Sequence, residues 1–318
     1  MARSAWLAVL ASTIALAAIL AGPAAIASAL TGGAPTPAGS PPPPPSRGGA
    51  PDAAPSAGST LTLLSATTTP RKSFYYGVRY PRLTYSIDSD QAQNDLRIDV
   101  VDSDGETVKS FYRNDVAPNA SDSIRWDGTT SENRPAANGR YSFRIAPQAS
   151  GSTAARASRL RASSSSSDEP LSLSFDLYGY AFPILGAHDF GGAGGRFGAG
   201  RSGHTHEGQD VMAQCGTPLV AARGGRVQYS GYQSAAGNYV VIDGKGTSYD
   251  MGYMHLLEPS PLQEGAIVRT GEPIGVVGQT GDATACHLHF EIWTAPGWYE
   301  GGSPIDPLPY LKQWDEYS

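Results

Sequence analysis

The chain has 318 residues, enough for two domains of ordinary size, and only 16% of them are charged, against 38 glycines and 25 prolines. Such a composition argues against a helical bundle and for turn-rich β structure joined by flexible segments. The formal net charge is −6 and no basic stripe runs along the sequence, so no nucleic-acid partner is expected.

Residues 1–29 have the layout of a secretory signal peptide. Arg3 supplies a positive start, Trp6 to Leu20 is almost wholly apolar, and Ala27-Ser28-Ala29 offers the small residues of a cleavage site. The alternative is an uncleaved membrane anchor, because the apolar stretch extended to Leu30 reaches spanning length. Either way the rest of the chain is expected outside the cytoplasm, secreted or associated with the cell wall, and held at the membrane only if the segment is retained. Residues 30–59 are mostly Pro, Gly, Ala and Ser, with an unbroken run from Pro41 to Pro45, and read as an extended linker.

Residues 60–147 read as strands and tight turns. Leu96, Ile98 and Val100 alternate with polar neighbours, and Asp104-Gly105 follows as a hairpin signal. After a turn at Asn138-Gly139, Tyr141, Phe143 and Ile145 fall on one face and Ser142 and Arg144 on the other. Asp102 and Asp104 lack the remaining ligands of a calcium loop, so an ordinary turn is expected there. The segments Val-Val-Asp-Ser-Asp-Gly (100–105), Arg-Trp-Asp-Gly (125–128) and Asn-Gly-Arg-Tyr-Ser-Phe (138–143) resemble the Ig-like domain of flagellar hook-capping proteins. That resemblance implies a β-sandwich used for spacing or binding. A Ser-rich stretch, 148–168, is expected to separate it from a second domain, 169–318.

Five of the six histidines fall in three clusters of that second domain: His204-Thr-His206-Glu-Gly-Gln-Asp210, Tyr253-Met-His255-Leu, and Cys286-His287-Leu-His289-Phe-Glu291. In the third, Leu288, Phe290 and Ile292 alternate with His287, His289 and Glu291, which describes a strand with one apolar and one polar face. Two imidazoles about 7 Å apart on one strand face are well placed for a metal. His206 and Asp210, in a segment whose Gly203 and Gly208 argue for a loop, can complete the set. From the residues alone, His287 is as good a ligand as His289. Strand-like runs at 219–222, 226–229, 238–243 and 249–255 describe an antiparallel groove. Cys215 and Cys286 are expected to form a disulfide in an oxidising compartment, closing a loop worth roughly 4 kcal/mol on the chain-entropy model. A metal-ligand role is the competing reading, against which Cys286 points away from His287 and His289 if the strand reaches it.

From about 180 to 310 the chain resembles the lysostaphin-type (LytM, M23) zinc endopeptidases. The matching segments are 204–210, Cys-Gly-Thr-Pro-Leu-Val-Ala-Ala (215–222), Tyr-Met-His-Leu (253–256), Gly-Val-Val-Gly-Gln-Thr-Gly (275–281) and His-Leu-His-Phe-Glu (287–291). Together the two resemblances imply an all-β chain, an Ig-like β-sandwich followed by an antiparallel β-sheet groove domain of the lysostaphin type. The second implies one Zn2+ per chain on His206, Asp210 and His289, with His287 and His255 catalytic but not ligands. The expected partners are peptidoglycan stem or cross-bridge peptides, cut by a monomeric enzyme. Two other readings stand beside it: a non-catalytic wall-binding activator of another hydrolase, and an endopeptidase acting on a Gly-rich protein. Glu291 is expected either to orient a histidine or to lie on the strand surface, His204 to line the cleft, and His188 to be structural or exposed.

Overall fold

A computed structural model of the protein describes residues 61–148, 161–162 and 173–318. The expected signal segment and first linker, and most of the second, lie outside the described residues. Among the described residues no helix is long and apolar enough to cross a membrane.

The N-terminal part contains nine strands: β1 (Leu61–Thr69), β2 (Lys72–Phe74), β3 (Arg82–Ser89), β4 (Asn94–Val101), β5 (Thr107–Val116), β6 (Ser121–Arg125), β7 (Gly139–Pro147), β8 (Arg161–Ala162) and β9 (Ser174–Tyr178). They form two sheets, ordered β6-β3-β1-β8 and β2-β9-β7-β4-β5. The alternation expected of Leu96, Ile98 and Val100 and of Tyr141, Phe143 and Ile145 sends all six into a shared core, where they meet Leu83, Tyr85 and Ile87 of the other sheet and the fully buried Trp126. Two sheets closing on one core make a β-sandwich. The Asp102 carboxylate accepts the backbone N–H groups of Asp104 and Glu106, so this acidic pair builds the expected turn. Residues 161–162 pair parallel to β1 within the stretch read as a linker. β9 lies beyond the boundary that composition placed at 169, yet it pairs with β7 and β2 of the sandwich.

The C-terminal part is built from β10 (His188–Asp189), β11 (Gln209–Ala213), β12 (Pro218–Val220), β13 (Gly225–Gln233), β14 (Gly237–Gly244), β15 (Tyr249–Leu256), β16 (Ile267–Val268), β17 (Pro273–Val276), β18 (His287–Thr294) and β19 (Pro304–Ile305), ending in a short helix, α1 (Leu308–Asp315). The main sheet runs β10-β11-β18-β15-β14-β13-β16, with β19 also on β18, while β12 and β17 form a separate ribbon. Val211, Val240, Ile242, Met251, Tyr253, Leu288, Phe290 and Ile292 fill one core, sealed by Leu311 and Trp314 of the helix. Among the described residues the protein is thus almost entirely β.

The two parts meet along residues 75–80 and 269–271. Thr270 Oγ1 donates to the Tyr75 carbonyl at 2.8 Å and its backbone N–H to the Tyr76 carbonyl at 3.0 Å. Arg223 is 2% exposed and donates to the carbonyls of Gly179 and Lys245. Its guanidinium lies 4.2 Å from the Tyr75 ring centre and 5.1 Å from that of Tyr180.

Candidate metal centre

β11 and β18 pair antiparallel with Asp210 directly opposite His289 and Met212 opposite His287. Leu288, Phe290 and Ile292 face the core, so period-2 alternation turns His287, His289 and Glu291 to the other face. Asp210 is therefore a strand residue rather than the loop residue its glycine neighbours suggested, because its backbone pairs with β18. His206 does sit in a loop, held by Ala199 and Gly198 through its own backbone. That loop approaches β18 so closely that a Cβ on Gly208 would lie 2.5 Å from the Phe290 carbonyl oxygen and 2.7 Å from His289 Nε2. His255 arrives from the end of β15 with φ of 64°, a left-handed conformation that a side-chained residue adopts at a cost of about 1–2 kcal/mol.

In all four rings the outward nitrogen meets a group that can only accept a hydrogen bond. His206 Nδ1 lies 2.9 Å from the Arg196 carbonyl, His255 Nδ1 2.8 Å from that of Thr280, and His287 Nδ1 2.8 Å from that of Ala285. His289 Nε2 lies 2.9 Å from Glu291 Oε1. These partners assign the proton to the outward nitrogen and leave each inward nitrogen with a bare lone pair when the ring is neutral. Two of the bare nitrogens, His206 Nε2 and His289 Nδ1, face each other at 2.8 Å, and Asp210 Oδ1 stands 3.1 Å and 3.0 Å from them. Three lone pairs crowded together need a proton or a cation between them. Their nitrogen and oxygen character and their spacing fit a zinc ion with bonds of about 2.0–2.1 Å. His287 Nε2 lies 3.5 Å from Asp210 Oδ1, and the His255 ring is centred 4.7 Å from that of His287.

Residues 204–307 match the family model described as peptidase family M23. This segment is an M23 domain of the lysostaphin type. The chain is 42% identical over 87 residues to the peptidoglycan DD-endopeptidase ShyC of Vibrio cholerae, covering 27% of this chain and 20% of that protein. It is 31% identical over 119 residues to lysostaphin of Staphylococcus simulans, covering 37% and 24% respectively. The chain thus spans about a fifth to a quarter of the length of these curated relatives. Among solved structures, the catalytic domain of lysostaphin from Staphylococcus simulans aligns at 30% identity, covering 40% of this chain and 92% of that domain with a TM-score of 0.34.

The electrostatics of the M23 domain follow from the same contacts. Burial works to raise the Asp210 pKa, but in the metal-free protein its contacts with His206 and His289, which donate to it when protonated, outweigh that and hold the carboxyl well below the usual carboxylate range. Burial works to lower His289, while its bonds to Asp210 and Glu291 push it up to about 9 in the metal-free protein. His255 goes the other way: burial, then the neighbouring His287, push it down to about 4. Glu291 is buried, yet stays below its ordinary value because His289 and two indoles donate to it. Trp293 Nε1 and Trp298 Nε1 reach its Oε2 at 2.7 Å and 2.8 Å.

Of the two roles expected for Glu291, the structure supports contact with a histidine. The tryptophans behind it were missed. Trp293, two residues on along the same strand face, carried a signal; Trp298 did not, because a turn brings it back. The carbonyls of Arg196, Thr280 and Ala285 leave no trace in residue identity. Cys215 and Cys286 are joined as a disulfide, which removes the metal-ligand alternative and ties the approach to His287 back to the segment after β11. His204 is exposed, with Nδ1 3.3 Å from the Ser202 carbonyl, and stands outside the donor group. His188 stacks on Phe182 and faces Asp315 at 3.3 Å, a structural position.

Proposed function

We propose that this protein is an extracytoplasmic zinc metalloendopeptidase that hydrolyses peptide cross-links of bacterial peptidoglycan. One observation carries the reading: three bare donors, His206 Nε2, Asp210 Oδ1 and His289 Nδ1, converge beside two further histidines whose outward nitrogens are also tied down. One zinc ion per chain on these donors would supply an open coordination position, lower the pKa of water there and polarise the scissile carbonyl.

His287 takes the water proton at Nε2. Its Nδ1–H, held by the Ala285 carbonyl, keeps the ring in the tautomer that accepts a proton. His255, neutral and fixed by the Thr280 carbonyl, offers Nε2 as a hydrogen-bond acceptor to the N–H of the leaving amine, which then receives the proton held on His287. Glu291 and its two indoles orient His289.

The test uses the full chain, since β9 belongs to the sandwich sheet. It is incubated with purified sacculi of several wall types, with zinc or chelator, beside a His289→Ala variant, and released fragments are identified by mass spectrometry. Zinc-dependent fragments bearing a new peptide end are expected from the unaltered chain alone. Zinc binding with every wall type left intact would overturn the reading and favour a non-catalytic wall binder.

A further inference from the structure

The sandwich carries a cationic cleft that the peptidase chemistry does not use. The edge strands of its two sheets, β5 and β6, flank an open cleft of about 420 Å³. Lys109, Phe111 and Arg113 of β5 line it at alternate positions, with Arg125 of β6, Arg82 of β3 and Tyr80 completing the wall. Four cations thus share one cleft in a chain whose net charge is −6.

The register makes this arrangement unfavourable without a ligand. Arg82 and Arg125 are direct cross-strand partners, and like charges placed opposite each other destabilise a sheet. Among the described residues only Arg113 has a carboxylate partner, Asp122, 3.4 Å away. Arg82 donates to Ser123 Oγ at 3.0 Å and Lys109 to the Thr130 carbonyl at 3.0 Å. Arg125 lies 6.0 Å from the Tyr80 ring centre. Asp127 also lines the cleft, its Oδ1 accepting from the backbone and hydroxyl of Thr129, so the lining carries four cations against one carboxylate.

We infer that this cleft binds phosphate groups of an extended anionic polymer with repeating phosphodiesters. Guanidinium forks match phosphate oxygens in pairs, and cations on both walls can hold successive groups of one chain. The concave shape favours a soluble polymer over a membrane plane. Choosing a wall polymer over a nucleic acid rests on the extracytoplasmic reading above; the phosphate site itself does not.

Calorimetric titration of the full chain with poly(glycerol phosphate) tests it. Saturable, salt-weakened binding is expected, displaced by inorganic phosphate and weakened about tenfold or more by Arg82→Gln with Arg125→Gln. Unchanged affinity in that double variant overturns the proposal, as does stronger binding to phosphatidylglycerol vesicles or single-stranded DNA than to the polymer. Thermal melting separates binding from folding. Without ligand the double variant should melt no lower than the unaltered chain, and the polymer should raise the melting temperature of the unaltered chain alone. A lower melting temperature in the variant would make the two arginines structural and overturn the assignment. Hydrolysis of a soluble peptide should be unaffected, so failure of the peptidase reading and failure of this one are distinguishable.

Discussion

His206 Nε2 and His289 Nδ1 face each other at 2.8 Å with no hydrogen between them when both rings are neutral. In the metal-free protein a proton must relieve that contact, and the bonds to Asp210 and Glu291 that push His289 up to about 9 against its burial favour holding it there. The folded state keeps a proton that the unfolded chain releases above its ordinary value of about 6.5. This stabilisation is fully present below about pH 6.5 and lost as the pH rises through 9, on the order of 3 kcal/mol. His255, pushed down to about 4, acts on the acid side: the unfolded chain binds a proton that the fold refuses, so stability falls as the pH drops from about 6.5 towards 4. Chelated protein should therefore melt highest near pH 6.5, and saturating zinc should remove the alkaline loss. Melting curves with and without chelator check this, and equal melting temperatures of chelated protein at about pH 6.5 and 9 would contradict it.

Glu291 orients His289 through an acceptor that also satisfies two buried indole N–H groups. Glu291→Ala should weaken zinc binding about 10–100-fold in a chelator competition assay. Trp298→Phe removes one donor and should weaken it less.

Gly208 has no room for a methyl group against His289 and the Phe290 carbonyl. Gly208→Ala should displace the His206 loop and lower zinc affinity, while a methyl at Gly194, which meets nothing within 4 Å, should leave it unchanged.

His287 and His255 lie beside the donor group rather than in it. His287→Ala should lower kcat about 10²–10⁴-fold with zinc stoichiometry retained, whereas His289→Ala should lose zinc and activity together. If His287→Ala loses zinc, the assignment between the two histidines reverses.

Arg223 sits at the seam of the two β parts, donating to the Gly179 carbonyl just beyond β9 and stacking on Tyr75 while two further bonds go to the Lys245 carbonyl. Its removal would leave both carbonyls without these donors. Arg223→Ala should cost about 3 kcal/mol in denaturant unfolding. The sandwich and the M23 domain should unfold in one transition, and a chain begun at residue 169 should fold poorly, because β9 would lose its partners in β7 and β2.

What residue order settled by itself is what depends on local period and spacing. The alternation through 287–292 put two imidazoles and a carboxylate on one strand face, and the alternation in 96–100 and 141–145 assigned the sandwich core. Likeness to the M23 motifs, rather than spacing, singled out His289 from His287. Tertiary structure decided what depends on contacts between distant segments. Only the β11–β18 register sets Asp210 opposite His289, and only the folded loops supply the carbonyls that choose each histidine tautomer. The cross-strand pairing of Arg82 with Arg125, 43 positions apart in the chain, is of the same kind. Backbone carbonyls are common to every residue and pairing register is a property of two strands at once, so neither can be read from the residue types along one of them.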